Sequence, residues 1–508
     1  MKKVSSLPVA VLGAGAAGLG ASLELLTAEV PIHLFEAHSL PGGSASWFRR
    51  SSKAGALQFD VGATVLDGLA DGAWLGKRFA TWGVELAPFE RMPSMHYKLG
   101  ADKAAFALDT RSLNEWTQSL VRAFPADERF IRHDLAQLAR LAQHLKSLIE
   151  ARPHFPIQSL GDLVRNIRLV PYLPEVLRSV LATGDFDFAT WLSKRPVSPE
   201  LRRWIEMSLL ITVQDSPEEI FTPWAALALS FYPLGAGTLP GGMRGLMEAA
   251  LRRVIASPKA SVSLKHSVTS IRQDSEGFYI QTLDRNAVQR AWGPFRSVIS
   301  SLPRFNTARI APEGTFAPRD EWSRHKESLW GANTAYIAVE DGSAWPEAAF
   351  NLHSRLDPNL GGSEGNDAYL SFSKRGDFDR APAGIRVATL STHTRLGNWR
   401  DLETGSYATR KEAAGKQLLK HFYSWSPDSK ILHQEFGTPR TFQRYTSRLE
   451  GNVGGLPMNR NNTLLSPPAQ RTRLAGLYQI GDTSFPGQSV YACTLGAILA
   501  VEKLRSET

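Results

Sequence analysis

Gly13, Gly15 and Gly18 stand at the spacing Gly-x-Gly-x-x-Gly, with Ala16 and Ala17 between them and Glu36 placed 18 residues beyond Gly18. Residues of these types can hold a dinucleotide. Gly13 permits a tight turn, Gly15 lets bare backbone approach a pyrophosphate, and Gly18 lets a helix pack close to a strand. The free N–H groups and partial positive charge of a helix start then face the phosphates. The Glu36 carboxylate can accept hydrogen bonds from a ribose. The elements that must position these groups are legible around them. Residues 8–12 form an apolar strand run, the stretch to Ala28 reads as a helix, and residues 32–35 read as a second strand ending at Glu36. That context separates the motif from a glycine-rich turn with no ligand.

A second glycine group follows at Leu40, Pro41, Gly42, Gly43 and Ser44, and then Phe59, Asp60, Val61, Gly62 and Ala63. A glycine pair soon after the acid resembles FAD-dependent oxidoreductases of the glutathione-reductase and amine-oxidase type, in which a second flexible loop lies over the pyrophosphate. Many of those carry Arg or Lys after the pair. Ser44 stands there in this chain, and Arg49 and Arg50 are the basic residues that could make up the charge. At the other end, a strand run delivers Gly481 and Asp482 to a turn, and Gly487, Gln488, Ser489 and Val490 open an apolar helix. Asp482 is placed to bond the hydroxyls of a ribityl chain. The helix start would face a flavin pyrimidine ring, where negative charge develops on reduction. Read alone, the segment is equally a helix N-cap with Asp482 satisfying backbone donors. Paired with the N-terminal motif, it reads as the second half of a flavin site.

Composition bounds the rest. The 508 residues are 43% hydrophobic and 21% charged, which excludes wholesale disorder, collagen-like repeats and a multi-span membrane protein. The single Cys493 excludes an internal disulfide or a cysteine-cluster zinc site. A formal charge of +9 on so long a chain permits an anionic ligand or lipid surface but does not argue for nucleic acid. Lys2 and Lys3 before an uncharged run look briefly like a signal peptide, but the glycines lead straight into a second strand. Residues 220–243 contain Pro223, Pro233 and Pro240, so they cannot form one spanning helix. Residues 483–501 read as a buried helix, and no transmembrane span is expected. Loops are expected at 356–366 and 452–468. In the helix-rich middle, Pro125 marks a helix start, and Ile131, Leu135, Leu138, Ala142, Leu145 and Ile149 recur on one face. His133 and His144 fall off that stripe and read as solvated.

Several segments, in family order along most of the chain, resemble the phytoene desaturase superfamily of FAD enzymes, and within it the carotenoid isomerase (prolycopene isomerase) and retinol saturase branch. They are residues 41–46 with 59–62, 124–125, 232–235 with 239–246, Val268 with Ile271, 298–303, 437–441 with Arg444 and Tyr445, and 481–488. Residues 157–216 match nothing in that pattern. The resemblance implies an α/β fold: a Rossmann-type, glutathione-reductase-like FAD-binding domain interleaved with an α+β substrate domain. The FAD domain would comprise 1–100, 230–310 and 468–508, and the substrate domain 101–229 and 311–467. It implies FAD as cofactor, Val268 at the adenine, and a hydrophobic polyene or isoprenoid-like substrate at the interface between the domains. The reaction would be desaturation, saturation or flavin-dependent cis/trans isomerisation of C–C bonds.

No Ser/His/Asp arrangement or metal cluster competes with this reading, and no catalytic residue beyond the flavin is named. Tyr491 reads as pocket contact or core, Cys493 as a small buried hydrophobe that could line the pocket, and Arg444 as surface charge or pocket residue. Leu160, Leu163, Val164 and Ile167 sit at helical spacing opposite Arg165 and Arg168. That stretch is either a membrane-surface helix or a core-facing helix with snorkelling arginines. The expected location is cytoplasmic, with peripheral contact to the membrane as the alternative. Three rival functions remain at this level: an FAD amine or amino-acid oxidase, a natural-product desaturase on a nitrogen heterocycle, and a flavin-fold binding protein without chemistry.

Overall fold

The structure, a computed structural model, describes residues 7–70, 72–100, 102–317, 322–342, 345–355, 367–459 and 467–507. The expected loop at 356–366 lies outside the described residues, as does 460–466 of the second expected loop. A five-stranded parallel sheet carries the N-terminal motif. Its order is Leu477–Gln479, Ser297–Ser300, Val9–Leu12, Ile32–Glu36 and Ala260–Leu264. Alternation along the central strand serves two covered faces. Val9 and Val11 pack with the helices Ala16–Thr27, Met243–Ile255 and Val490–Glu507, while Ala10 and Leu12 pack with Ile271, Phe278, Ile280 and Phe295 of a three-stranded antiparallel sheet. Burial on both faces is why these strands read as continuous apolar runs.

A seven-stranded sheet builds the second lobe, in the order Ile431–Gly437, Trp330–Glu340, Ile385–Arg395, Asp367–Phe372, Phe350–Arg355, Ser94–Lys98 and Phe106–Asp109. Every pairing is antiparallel except that of Phe350–Arg355 with Ser94–Lys98. The strand Ser94–Lys98 falls within the segment 1–100 expected for the FAD domain, so the chain crosses to the second lobe earlier than the sequence reading placed it. The reason is Met95 and Tyr97, which are buried in the second lobe's core rather than the first's. One face of this sheet, with Ala335, Ile337, Leu352, Leu370 and Leu390, is sealed by Leu418, Leu419 and Phe422 of the helix Thr404–Trp425.

The helical middle holds the stripe read from sequence. Ile131, Leu135, Leu138, Ala142, Leu145 and Ile149 are all buried. The helix is not uniform: a wide turn at Ile131–Leu135 precedes Ala136–Glu150. His133 is exposed as expected. His144 differs, because its Nδ1 lies 2.7 Å from Ser179 Oγ and ties Ala136–Glu150 to the helix Leu173–Thr183. The stretch around Leu160–Arg165 does not face the core. Leu160, Leu163, Val164, Ile167, Val170, Leu177 and Leu181 are exposed, and the buried residues are Asp162, Leu169 and Val176.

A charged cluster joins this helical region to the C-terminal helix Val490–Glu507. Glu502 meets Arg168 and His154 at 2.9 Å each and also pairs with Arg152. Burial pushes the Glu502 carboxyl up, but the His154 hydrogen bond and the Arg152 and Arg168 charges overcome that and hold it down at about 2. A carboxyl depressed on folding adds stability above its ordinary value of 4.5 and loses it as the pH falls toward 2. The melting temperature should therefore drop across that window in circular dichroism melts. Glu502→Gln should flatten the drop while lowering the neutral-pH value; an unchanged acid slope in the variant would contradict this.

Candidate flavin site

A cavity of about 980 Å³ runs from the glycine motif to the second lobe. At its first end Gly13, at φ +91°, turns the chain after Val9–Leu12, and its N–H donates to the Phe35 carbonyl at 2.7 Å. Gly15 is the N-cap of Ala16–Thr27, and no side chain caps that helix. A Cβ on Gly15 would find nothing nearer than the Gly42 carbonyl oxygen at 3.8 Å, so the space over it is open. Gly42, at φ +113°, donates to the Ala14 carbonyl at 2.8 Å and lays the second glycine loop beside the first. Open backbone at an uncapped helix start is an anion cradle. The Ser44 Oγ is buried at the cavity wall without a hydrogen-bond partner.

Glu36 does two jobs. Its Oε2 accepts from the Ala14 N–H and its Oε1 from the His38 N–H, both at 2.7 Å, which fastens the glycine turn to the second strand. Burial raises its carboxyl pKa against the pull of those N–H groups. Each oxygen retains a lone pair for a ribose hydroxyl. Beyond it, Val268 and His266 line the wall. His266 Nδ1 meets the Leu264 carbonyl at 2.9 Å, so Nε2 is the bare acceptor, and it is buried without a partner. These two orphaned polar atoms and the open cradle fit a dinucleotide.

The C-terminal half closes the same cavity. Gly481, Asp482, Gln488, Ser489 and Val490 all line it. Asp482 pairs with Arg448 at 2.8 Å, and Arg448 is itself fixed by the Asn452 carbonyl at 2.7 Å and Asn452 Oδ1 at 3.0 Å. The Gln488 amide donates to the Thr212 carbonyl at the end of the helix Pro199–Val213. Ser489 sits at φ +99°, a costly conformation for a non-glycine residue, and its Oγ accepts from the Ala492 N–H at 3.0 Å to start the helix. Ser489, rather than Asp482, therefore supplies the N-cap, while Asp482 lines the cavity and pairs with Arg448.

Of the residues singled out from sequence, the cavity brings together Gly13, Gly15, Ala16, Ala17, Glu36, Gly42, Gly43, Ser44, Val268 and those just described, with Gly62 beside Ser44. Two cofactor-site candidates, Gly18 and Gly487, stand off the wall, and Gly18 does only the packing work that the motif gives it. A Cβ on Gly18 would collide with the Gly13 carbonyl oxygen, so its work is the helix–strand approach. A Cβ on Gly487 would meet Met458, and its φ of +118° serves the turn. Arg50 reaches the wall, but Glu435 takes its charge at 2.5 Å, so it does not replace the residue absent at Ser44. Arg444 is on the surface. Tyr491 is both wall and core: its hydroxyl donates to Glu150 at 2.9 Å while its ring packs on Trp74. Cys493 lines the wall with its thiol pushed up by burial and by nearby Asp482, so it stays protonated.

Sequence reasoning missed Arg448, Lys146 and Asp67. Lys146 Nζ donates to the Leu234 carbonyl at 3.2 Å and lies 5.6 Å from the Tyr491 ring. Burial raises the Asp67 carboxyl, opposed by the Lys146 charge. Both line the cavity. No local signal marks them, because their partners are remote in sequence.

The family model described as flavin containing amine oxidoreductase matches residues 16–504. The chain belongs to that family. FAD is its cofactor, and the Rossmann-type FAD domain with its interleaved partner is the family's fold. This flavin oxidoreductase is 23% identical to a prolycopene isomerase of Daucus carota over 98% of the chain and 80% of the relative. It is 22% identical to the Arabidopsis thaliana prolycopene isomerase over 98% and 82%. Among solved structures, an oxidoreductase from Methanosarcina mazei superposes with a TM-score of 0.61 at 16% identity, covering 98% of this chain and all (100%) of that one. Cyclohexylamine oxidase from Brevibacterium oxydans gives 0.56 at 14% identity, covering 98% and 99%.

The two motif glycines should separate under mutation. Gly15→Val should fold with the melting temperature of the wild-type apoprotein yet lose visible flavin absorbance, since only the cofactor competes for that space. Gly18→Val should cost about 3 kcal/mol or more in denaturant unfolding, because backbone must move. Full flavin content in Gly15→Val would place the pyrophosphate elsewhere.

Proposed function

We propose that this FAD enzyme acts on C–C bonds of a hydrophobic polyene or isoprenoid-like substrate, by desaturation, saturation or cis/trans isomerisation. The observation that carries the reading is the apolar helical wall, with Ile149, Ile211, Val213, Leu227 and Phe231, which continues directly from the flavin-site residues. The near-full-length similarity to prolycopene isomerases supports it. Bound FAD supplies a hydride acceptor or, when reduced, an electron donor at its ring. Gly13, Gly15, Glu36, Gly42 and Asp482 would hold the FAD, the helical wall would exclude water from it, and the start of Val490–Glu507, which lines the cavity, would bring partial positive charge to a reduced flavin.

The family description and the cyclohexylamine oxidase likeness favour a second reading, amine oxidation. The wall argues against it. Among the described residues its carboxylates are Glu36, Asp67, Glu435 and Asp482, and each already answers a protein N–H or cation. An ammonium entering the cavity would find no free counter-charge.

The outward apolar face of residues 157–186 supports docking on an anionic membrane, from which such a substrate would come. Leu160 and Leu181 are 82% and 78% exposed, Arg165 and Arg178 flank them, and the helix Leu173–Thr183 packs on Ala136–Glu150, which carries Lys146 and Ile149 of the cavity wall. Among the described residues no helix is long and apolar enough to cross a membrane, so the contact would be interfacial.

Anaerobic holoenzyme, oxidised and photoreduced, mixed with a panel of cis and trans polyenes should change the flavin spectrum and alter double-bond number or geometry in the recovered product. Brisk peroxide release with amines and no response to polyenes would overturn the reading. In flotation at low salt, the wild type should rise with anionic liposomes and the triple variant Leu160→Asp, Leu163→Asp, Ile167→Asp should not. Wild type left in the dense fraction would end the membrane proposal.

A further inference from the structure

Two-electron oxidation at a bound flavin moves protons as well as electrons, and a bare charge does not cross an apolar wall cheaply. The helical wall of the cavity, largely apolar, therefore offers no proton exit. Strand alternation makes the other wall polar. Thr334, Tyr336, Thr389, Ser391 and His393 line it, while their neighbours Ala335, Ile337, Ala388 and Leu390 turn away under Thr404–Trp425. Two of its hydroxyls lead nowhere. Tyr336 donates to the Val61 carbonyl at 2.7 Å and Thr389 to the Asp60 carbonyl at 3.2 Å, and a backbone carbonyl has no proton to pass on.

A second cavity, of about 450 Å³, lies beside the first. Its lining is polar, with Glu90, Ser371, Lys374, Asp377 and Asp379. Its mouth is at the surface, where the Lys374 and Asp379 side chains and Phe378 are exposed. Thr64 lines both cavities. Its side chain hydrogen-bonds Tyr369, whose hydroxyl lies 2.9 Å from that of Tyr232, and the Asn351 amide holds Tyr232 from the other side. Tyr232 and Tyr369 are buried and line the first cavity. Three hydroxyls thus stand in one hydrogen-bonded row that begins at the flavin cavity and ends at the polar recess.

We propose that Tyr232, Tyr369 and Thr64 form a proton relay that joins the flavin cavity to the polar recess while keeping water out of the cavity. A hydroxyl is donor and acceptor at once. A proton reaching one end is therefore passed on as each oxygen takes one proton and gives up its own to the next, and bonds in a row polarise one another in that direction. No phenol has to ionise, and burial keeps both protonated. At the far end the carboxylates of Glu90, Asp377 and Asp379 border the recess, and burial raises the Asp377 carboxyl, which favours its taking up a proton. The relay serves the flavin whichever substrate supplies the electrons, so it holds for C–C oxidation and for amine oxidation alike.

The test needs no substrate. Anaerobic holoenzyme is photoreduced and mixed with ferricyanide in lightly buffered solution containing a pH-indicator dye. Two ferricyanide ions take one electron each, and the proton that leaves the flavin reaches the dye. Plotted against the deuterium fraction of the solvent, the rate of the dye signal should follow a bowed curve in the wild type, because several protons move together. Tyr369→Phe, Tyr232→Phe and Thr64→Val should each straighten the curve and slow proton release about tenfold, part of the roughly hundredfold or more that a positioned proton-transfer group contributes. The double variant Thr64→Val, Tyr369→Phe should be no slower than either single one, since a chain already cut loses nothing more. Thr64→Val keeps both rings in place, so a folding defect in a tyrosine variant, visible as lost flavin, does not decide the matter. A straight line in the wild type, or a bowed one kept in all three variants, would overturn the inference. Slowing that adds up in the double variant, the mark of separate packing defects, would overturn it too. Loss of the bow in Tyr491→Phe in place of these would put the exit at Glu150, which accepts from the Tyr491 hydroxyl, and would equally end the proposal.

Discussion

The approach of the helix Ala16–Thr27 to the end of the strand Val9–Leu12 governs much else in the molecule. Gly18 rests against the Gly13 carbonyl so closely that no Cβ fits between them, and Ser301 Oγ closes the same spot by donating to the Leu12 carbonyl at 2.7 Å and the Gly13 carbonyl at 3.1 Å. Any side chain there would push the helix outward. The open backbone at Gly15 would then leave the cavity end, and the Ala14 N–H would lose its reach to Glu36. The helix–strand distance therefore fixes both the anion cradle and the carboxylate that faces it.

From that contact the construction runs through the C-terminal helix. Val490–Glu507 packs on Ala16–Thr27, with Thr494 and Ala497 against Gly20. Its first turn borders the cavity through Ser489, Val490 and Tyr491, and its last turns carry Glu502 into the cluster with His154, Arg152 and Arg168. One helix thus joins the cofactor cradle to the helical part of the second lobe. Burying so many charges is costly unless each is paired. Their pairing across segments far apart in sequence gives the lobes a defined seat, which a cavity shared by both requires.

What could be read from the sequence was what local geometry dictates. The glycine spacing, Glu36 at a strand end, the Gly481–Asp482 turn and the stripe from Ile131 to Ile149 each depend on residues a few positions apart, and each appears where periodicity and turn chemistry put it. A motif does not say which of its glycines touch a ligand and which only let backbone pass: Gly13 and Gly15 line the cavity, and Gly18 and Gly487 do not. Arg448 escaped notice because its partner Asp482 is distant in the chain; Arg444, one helical turn earlier, carried an identical side chain with no such partner. The stretch around Leu160 was ambiguous for a different reason. Amphipathic spacing shows that a helix has two faces, and only packing decides which of them is turned inward.

The contrast between the cavity walls follows from the kinds of element that make them. The helical wall is largely apolar, with Ile149, Ile211, Leu227 and Phe231, because that inward stripe also stabilises the helical layer; its charged member, Lys146, is tied to the Leu234 carbonyl. A strand has two independent faces. In the seven-stranded sheet one face is committed to the helix Thr404–Trp425, while part of the other packs, through Tyr336, Ala338 and Val387, on Leu57 and Phe59. Of the alternate positions on Trp330–Glu340 and Ile385–Arg395, Thr334, Ser391 and His393 border the cavity and do not belong to that apolar cluster. Hydroxyls and a neutral imidazole occupy them, although apolar residues would have been easier to bury beside an empty hydrocarbon slot.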